Sequence, residues 1–166
     1  MAARRIAVTD ANVLINLIHV DVLAIVAGLS EYEFVVLDAV AEEITDAQHA
    51  LALQTAFDEG HLRRESLTEP DALALFAELV QVMGRGEAAS LALAWGQNWY
   101  LACDEKRLFR RKAVELLGVE RLLTTPGIIV LCIRQGLIAV DHADQMKAIL
   151  ETKRFKMTFR SFRDVT

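Results

Sequence analysis

The chain has 166 residues, 54% of them hydrophobic, and a formal net charge of -5. That is enough for one domain, spanning 1–166, with a core covered on both faces by helices. The negative balance argues against a protein that coats nucleic acid by bulk charge, because such proteins are basic overall.

In chain order, Arg5 to Thr9 reads as a short buried strand, and Ala11 to Ile18 continues with apolar residues at helical spacing. Glu33 to Leu37 is a second strand-like run, followed by helical patterning from Asp38 to Phe57 that breaks near Thr45-Asp46, where a new cap can form. Gly60 to Leu67 reads either as an edge strand or as a connector. Glu69-Pro70-Asp71 looks like a helix start, and the helix over Ala72 to Met83 stops at Gly84-Arg85-Gly86. Glu87 to Trp95 predicts a helix ended by Gly96, and Trp99 to Cys103 a compact buried strand. Asp104 to Leu117 reads as helix closed by Gly118, Val119 to Thr124 as strand, and Pro126 to about Arg134 as an apolar helix capped by Gly136. A last amphipathic helix from Asp141 to roughly Arg154 leads into a basic tail, so that 141–166 forms a C-terminal helix and tail. Strands alternating with helices predict an α/β fold, a three-layer α/β/α sandwich around a central, mostly parallel sheet.

Arg4 and Arg5 run at once into the first strand and lead into no apolar signal core, and the apolar run 128–133 is too short to cross a bilayer. Neither secretion nor membrane insertion is expected. Cys103 and Cys132 sit inside apolar runs without metal-ligand spacing, which suits buried thiols in a reducing compartment, the cytoplasm.

Four acids stand where an apolar run meets a helix-like segment: Asp10, Glu43, Glu87 and Asp104. Parallel sheets bind ligands at the carboxyl ends of their strands, and Asp10 and Asp104 fall at such ends; each is also a natural helix cap. Glu43 shares a helix face with Ala39, Val40 and Ala47, or, if the helix is rotated, is simply exposed. Glu87 opens a helix, where the macrodipole favours an acid in any case. Carboxylates about 5 Å apart repel by roughly 3 kcal/mol per pair at an effective dielectric of about 20, so four in one pocket call for a divalent cation. Only hard oxygen donors are on offer, which suits magnesium or manganese better than zinc.

Several segments together resemble the ordered motifs of the PIN domain: Asp10-Ala-Asn12-Val-Leu, Val40 to Ile44, Gly84-Arg-Gly-Glu-Ala-Ala-Ser-Leu-Ala-Leu-Ala94, Leu101-Ala-Cys-Asp-Glu-Lys-Arg107, and Gly127 to Leu137. The resemblance spans roughly residues 5 to 140. It implies a magnesium- or manganese-dependent ribonuclease that acts on RNA, is often dimeric and, in VapC-type toxin members, is held inactive by an antitoxin protein. On this resemblance Asp10, Glu43, Glu87 and Asp104 take the catalytic, metal-binding positions, and Asn12 the polar position that orients the first carboxylate or a metal-bound water. Two departures are visible: Glu105 stands where many relatives have a second Asp, and Thr124-Thr125 where a small polar pair such as Gly-Thr is common. The first leaves open whether the acid at 104 or at 105 is the main metal ligand, with Glu105 otherwise supporting the set; the Thr pair is expected to support the acids or reads as strand end and turn before Pro126.

Basic residues gather over 106–112 and again over 153–163, as solvated surface or as contacts to phosphate or to an acidic partner. Lys106, Arg107 and Arg110 follow Asp104 closely enough to reach a substrate phosphate or, equally, to pair with nearby acids. His19, His49, His61 and His142 are scattered without useful spacing, and Trp95, Trp99 and Phe109 are expected in the core. A haloacid-dehalogenase-type phosphatase would need a second Asp where Asn12 stands, and no Gly-rich phosphate loop is present. The remaining alternative is a catalytically inactive PIN-like module that binds RNA or protein without cutting, because a fold does not guarantee an activity.

Overall fold

The computed structural model describes residues 2–104 and 107–166. Its strands are β1 (Arg5–Thr9), β2 (Tyr32–Leu37), β3 (Arg63–Glu65), β4 (Tyr100–Ala102) and β5 (Leu122–Leu123), all parallel and ordered β3-β2-β1-β4-β5. The two longest are apolar runs rather than alternating ones, as strands covered on both faces must be: Ala7, Val8, Phe34, Val35, Val36 and Leu37 are all buried. Helices α1 (Ala11–His19), α2 (Leu23–Val26), α3 (Asp38–Glu43), α4 (Ala47–Asp58), α5 (Pro70–Leu79), α6 (Arg85–Gln97), α7 (Leu108–Leu117), α8 (Thr125–Arg134) and α9 (Val140–Thr152) connect them. On one side α6 lies against β1, β2 and β4 with α3, α5 and α7 beside it; α1, α8 and α9 pack on one another, with α4 against α1 and α2 against α8. This is the expected α/β/α sandwich. No helix among the described residues is long and apolar enough to cross a membrane.

Several local expectations are corrected. Gly96 does not end α6, which runs to Gln97 and closes on Asn98 in the left-handed conformation (φ 61). A Cβ on Gly96 would stand 3.0 Å from the Ala72 Cβ, so this glycine admits α5 against α6 instead of terminating a helix. Helix α5 stops at Leu79, and the Val119 to Thr124 strand shrinks to Leu122–Leu123 behind a 3-10 turn at Val119–Arg121. The helix expected from Asp104 begins at Leu108, because Arg107 (φ 68, ψ -129) lies outside helical space. Asp104 is thereby left in the segment that follows β4, not inside a helix.

The tail after α9 is tied down rather than frayed. A 3-10 turn at Phe162–Asp164 is held by Asp144 of α9, whose carboxylate accepts the Ser161 hydroxyl at 2.7 Å and the Phe162 N–H at 2.8 Å. Those bonds hold the Asp144 carboxyl below its usual range. Phe162 is fully buried and meets Phe159 edge-on at 4.9 Å. Phe162→Ala is expected to cost about 3 kcal/mol or more, a drop in Tm of roughly 6–12 °C that a thermal melt will read.

Candidate active site

From β1 the chain builds outward through β2 to β3, then crosses back to lay β4 and β5 on the other side of β1. The order reverses between β1 and β4, and the crevice at the carboxyl ends of such a pair is where α/β sheets bind ligands. Asp10 follows β1 directly and donates its N–H to Ala102 O of β4 at 3.0 Å; Asp104 lies two residues beyond the end of β4. Two acids thus sit at neighbouring strand ends.

Asp10 is 2% exposed. Burial pushes its carboxyl up to about 7, and the charges of Glu87 and Glu43 add to that rise. The N–H groups of Ala11 and Asn12 at the start of α1 pull the other way without closing a capping hydrogen bond. Two of the other three predicted acids therefore act electrostatically on Asp10.

Glu43 reaches this neighbourhood by a route the sequence did not suggest. Helix α3 has only six residues: Glu43 stands one turn after Ala39 and buried Val40, is exposed like Glu42, and is separated from Ala47, which opens α4. The Glu43 carboxylate is held by the amino end of α6, where Oε1 accepts the Gly86 N–H at 2.8 Å. A Cβ on residue 86 would lie 2.5 Å from Glu43 Oε2, so only glycine lets this carboxylate dock on the backbone. Glu87, partly buried, stands in the first turn of the same helix. One helix terminus, with its partial positive charge, gathers both glutamates.

Asp104 is held from the other flank. Its carboxylate accepts the Asn16 Nδ2 at 3.0 Å, the Thr125 N–H at 2.7 Å and, in a short bond, the Thr125 hydroxyl. Of the threonine pair, Thr125 at the start of α8 supports the acid, whereas Thr124 caps α8 by accepting the Gly127 N–H at 3.1 Å. Asn16 was missed from sequence. Its signal was present: one amide within the apolar run Leu14-Ile15-Asn16-Leu17-Ile18, one helical turn after Asn12. Glu105 and Lys106 lie outside the described residues.

Beside Asp104 opens a cavity of about 810 Å³. Asn12 and Asn16 of α1 line it together with Arg107, Thr124 and the segment 153–159. The two basic runs, nearly fifty positions apart, both contribute to it, through Arg107 and through Lys153, Arg154 and Lys156, while Arg110 lies on α7 outside that lining. His19 lines it too, and its ring meets that of His49 edge-on at 5.0 Å, so the two histidines expected to be scattered form a pair. Burial, then His49 and Lys153, hold the His19 pKa below its ordinary value, against the pull of Asp46. Phe109 is in the core as expected. Trp95 is not: it is 38% exposed, one residue round the helix from the Gly96 contact.

The donor chemistry suits a hard divalent cation. Asp10, Glu43, Glu87 and Asp104 offer oxygen only, and the charged neighbours acting most on buried Asp10 are themselves acids, which leaves negative charge for a cation to offset. As the side chains stand, no three His, Cys, Asp or Glu residues among those described are close enough to hold one ion together.

A parallel sheet between helical layers, with acids at the ends of β1 and β4, is an α/β fold with its candidate site at the point where the strand order reverses. A PIN-domain family model matches residues 6–165, and the chain belongs to the PIN-domain family. Among curated proteins none matches the chain.

Proposed function

We propose that the chain is a metal-dependent endoribonuclease that hydrolyses phosphodiester bonds of RNA, with Asp10, Glu43, Glu87 and Asp104 as the acids that hold magnesium or manganese. The observation that carries this reading is Asp10: a buried carboxyl at the end of the central strand, pushed up to about 7 with Glu87 and Glu43 contributing. A bound divalent cation supplies a water of lowered pKa and offsets charge on the phosphate under attack. The chain's own residues do the positioning. Asn16 and Thr125 fix the Asp104 carboxylate before any ligand arrives, so little ordering is left to the moment of binding. Arg107 faces the cavity next to Asp104, where a guanidinium can pair with a phosphate oxygen. Asn16→Ala is expected to lower kcat/KM about tenfold, because the Asp104 carboxylate loses an orienting donor.

Purified protein incubated with RNA in magnesium or manganese, against the same mixture with chelator, tests the reading directly. Metal-dependent cleavage is expected; no cleavage under any metal would overturn it. A second reading, a PIN-like module that binds RNA or protein without cutting, is favoured by one observation, the lack of three described acids close enough to share an ion. Binding without cutting in the same experiment would select it.

As biological setting we propose the toxin of a toxin–antitoxin pair acting in the cytoplasm, dimeric and silenced by a protein partner. The support is the family's composition rather than a contact in the molecule. Growth arrest on expression, relieved by the product of an adjacent reading frame, is the expected result; expression without effect on growth would overturn the toxin role alone.

A further inference from the structure

We infer that residues 153–159 form the second wall of the substrate site and hold the unpaired nucleotide that flanks the bond to be cut, an inference that rests on the ribonuclease reading. The segment is a strap fixed at both ends. Helix α9 ends at Thr152, Arg154 turns the chain through a left-handed residue (φ 67), and the Asp144 carboxylate clamps Ser161 and Phe162 on the far side. In between, burial alternates: Phe155, Met157 and Phe159 are half-buried against the core and Lys156, Thr158 and Arg160 are exposed, while residues 153 to 159 of both kinds contribute to the cavity lining. A basic, alternating segment pinned at both ends presents cations along a fixed line.

The lining is mixed in the way a nucleotide requires. Arg107, Lys153, Arg154 and Lys156 supply positive charge in a chain whose net charge is -5, and Phe155, Met157 and Phe159 supply apolar and aromatic surface. Phosphate favours the first set and a base face the second. Lysine and arginine ion pairs among the described residues are made by Arg5, Arg63, Arg64, Lys112, Lys147 and Arg163, so none of the four cavity cations is paired with a described acid. Asn12, Asn16 and Asp104 belong at once to the cavity and to the acid site, which puts a nucleotide held there next to the reacting phosphate. A base must leave its stack to enter such a cavity, so unpaired RNA is selected over duplex. An acidic protein segment would match the cations but would leave the aromatic surface unused.

The test is fluorescence anisotropy in chelator, where cleavage cannot intervene, with a short labelled single-stranded RNA, its duplex, and a poly-glutamate peptide. The parent is expected to bind the single strand at least about tenfold more tightly than the duplex. The triple variant Lys153→Gln, Arg154→Gln, Lys156→Gln is expected to lose about tenfold or more in affinity and to flatten the salt dependence by about 2 in log–log slope, from three phosphate contacts. Lys112→Gln, on α7 outside the cavity, is expected to leave both unchanged. If the triple variant melts early, Lys156→Gln alone still must lower the slope by about 0.7. Parent-like binding and slope in these variants would overturn the inference while metal-dependent cleavage left the ribonuclease standing. Strap-dependent binding without cleavage would do the reverse. Equal capture of poly-glutamate, lost in the same variants, would replace RNA by an acidic protein partner.

Discussion

Asp10→Asn is expected to lower RNA cleavage by about 10³-fold or more while making the metal-free protein more stable. The loss follows from removing a ligand to a cation whose charge stabilisation is worth several kcal/mol, about 1.4 kcal/mol for each factor of ten. The gain follows from the carboxyl at about 7, against an ordinary value of 3.8. Below 3.8 both the folded and unfolded chains keep the proton and nothing is lost. Between 3.8 and about 7 the unfolded chain releases it first, so stability falls as pH rises, and above about 7 the loss, about 4 kcal/mol at most, is complete. In chelator at about pH 8 the variant should therefore melt several degrees above the parent, and the gap should close towards pH 4. Asp104→Asn is expected to match the loss of cleavage with the opposite effect on stability. That carboxylate accepts donors from Asn16 and Thr125, and an amide there sets N–H against N–H at a cost of about 1–3 kcal/mol. Equal cleavage by either variant, or a melt for Asp10→Asn that tracks the parent at every pH, would remove that residue from the site.

Gly86→Ala separates the docking of Glu43 from the integrity of the fold. The added methyl would sit 2.5 Å from Glu43 Oε2, and the flexible end of that side chain is what must give way. Helix α6 loses one hydrogen bond at its amino end and gains a better helix former, effects of about 1 kcal/mol and opposite sign. Stability should barely move. Cleavage should fall by about 10²-fold, the usual cost of misplacing a catalytic group by an ångström. The pair of measurements to compare is kcat/KM and Tm: parent-like kcat/KM would show that Glu43 works without the Gly86 N–H, and a large drop in Tm would show that the glycine serves packing instead.

The layers of the sandwich were legible because β1 and β2 are mainly apolar runs with an acid just past the far end, as strands buried on both faces must be. The position of Asp10 followed from the end of β1, and that of Asp104 from the apolar run that forms β4. What escaped depends on contacts distant in sequence. Glu43 is placed by a backbone N–H forty-three residues later, so the periodicity of its own short helix could not reveal its partner. Gly96 has the composition of a stop and the job of a close helix contact, a distinction visible only once Ala72 is opposite it. Asn16 was passed over because a lone amide in an apolar stretch carries no pattern of its own; its meaning comes from Asp104, eighty-eight residues on. The basic tail was visible as charge, but its rigidity depends on Asp144, which the sequence marks as one more surface acid.

The sheet's two borders carry a consequence for how the molecule behaves in crowded solution. Strand β3 is three residues long, and its two arginines are tied to Glu33, Glu65 and Asp38 by contacts of 2.9–3.0 Å; β5, at the opposite border, is two residues long. Neither margin offers the long, flat, apolar ladder on which a foreign strand could propagate. Self-association by sheet extension is thereby blocked at both ends, and any pairing of copies is left to helical surfaces.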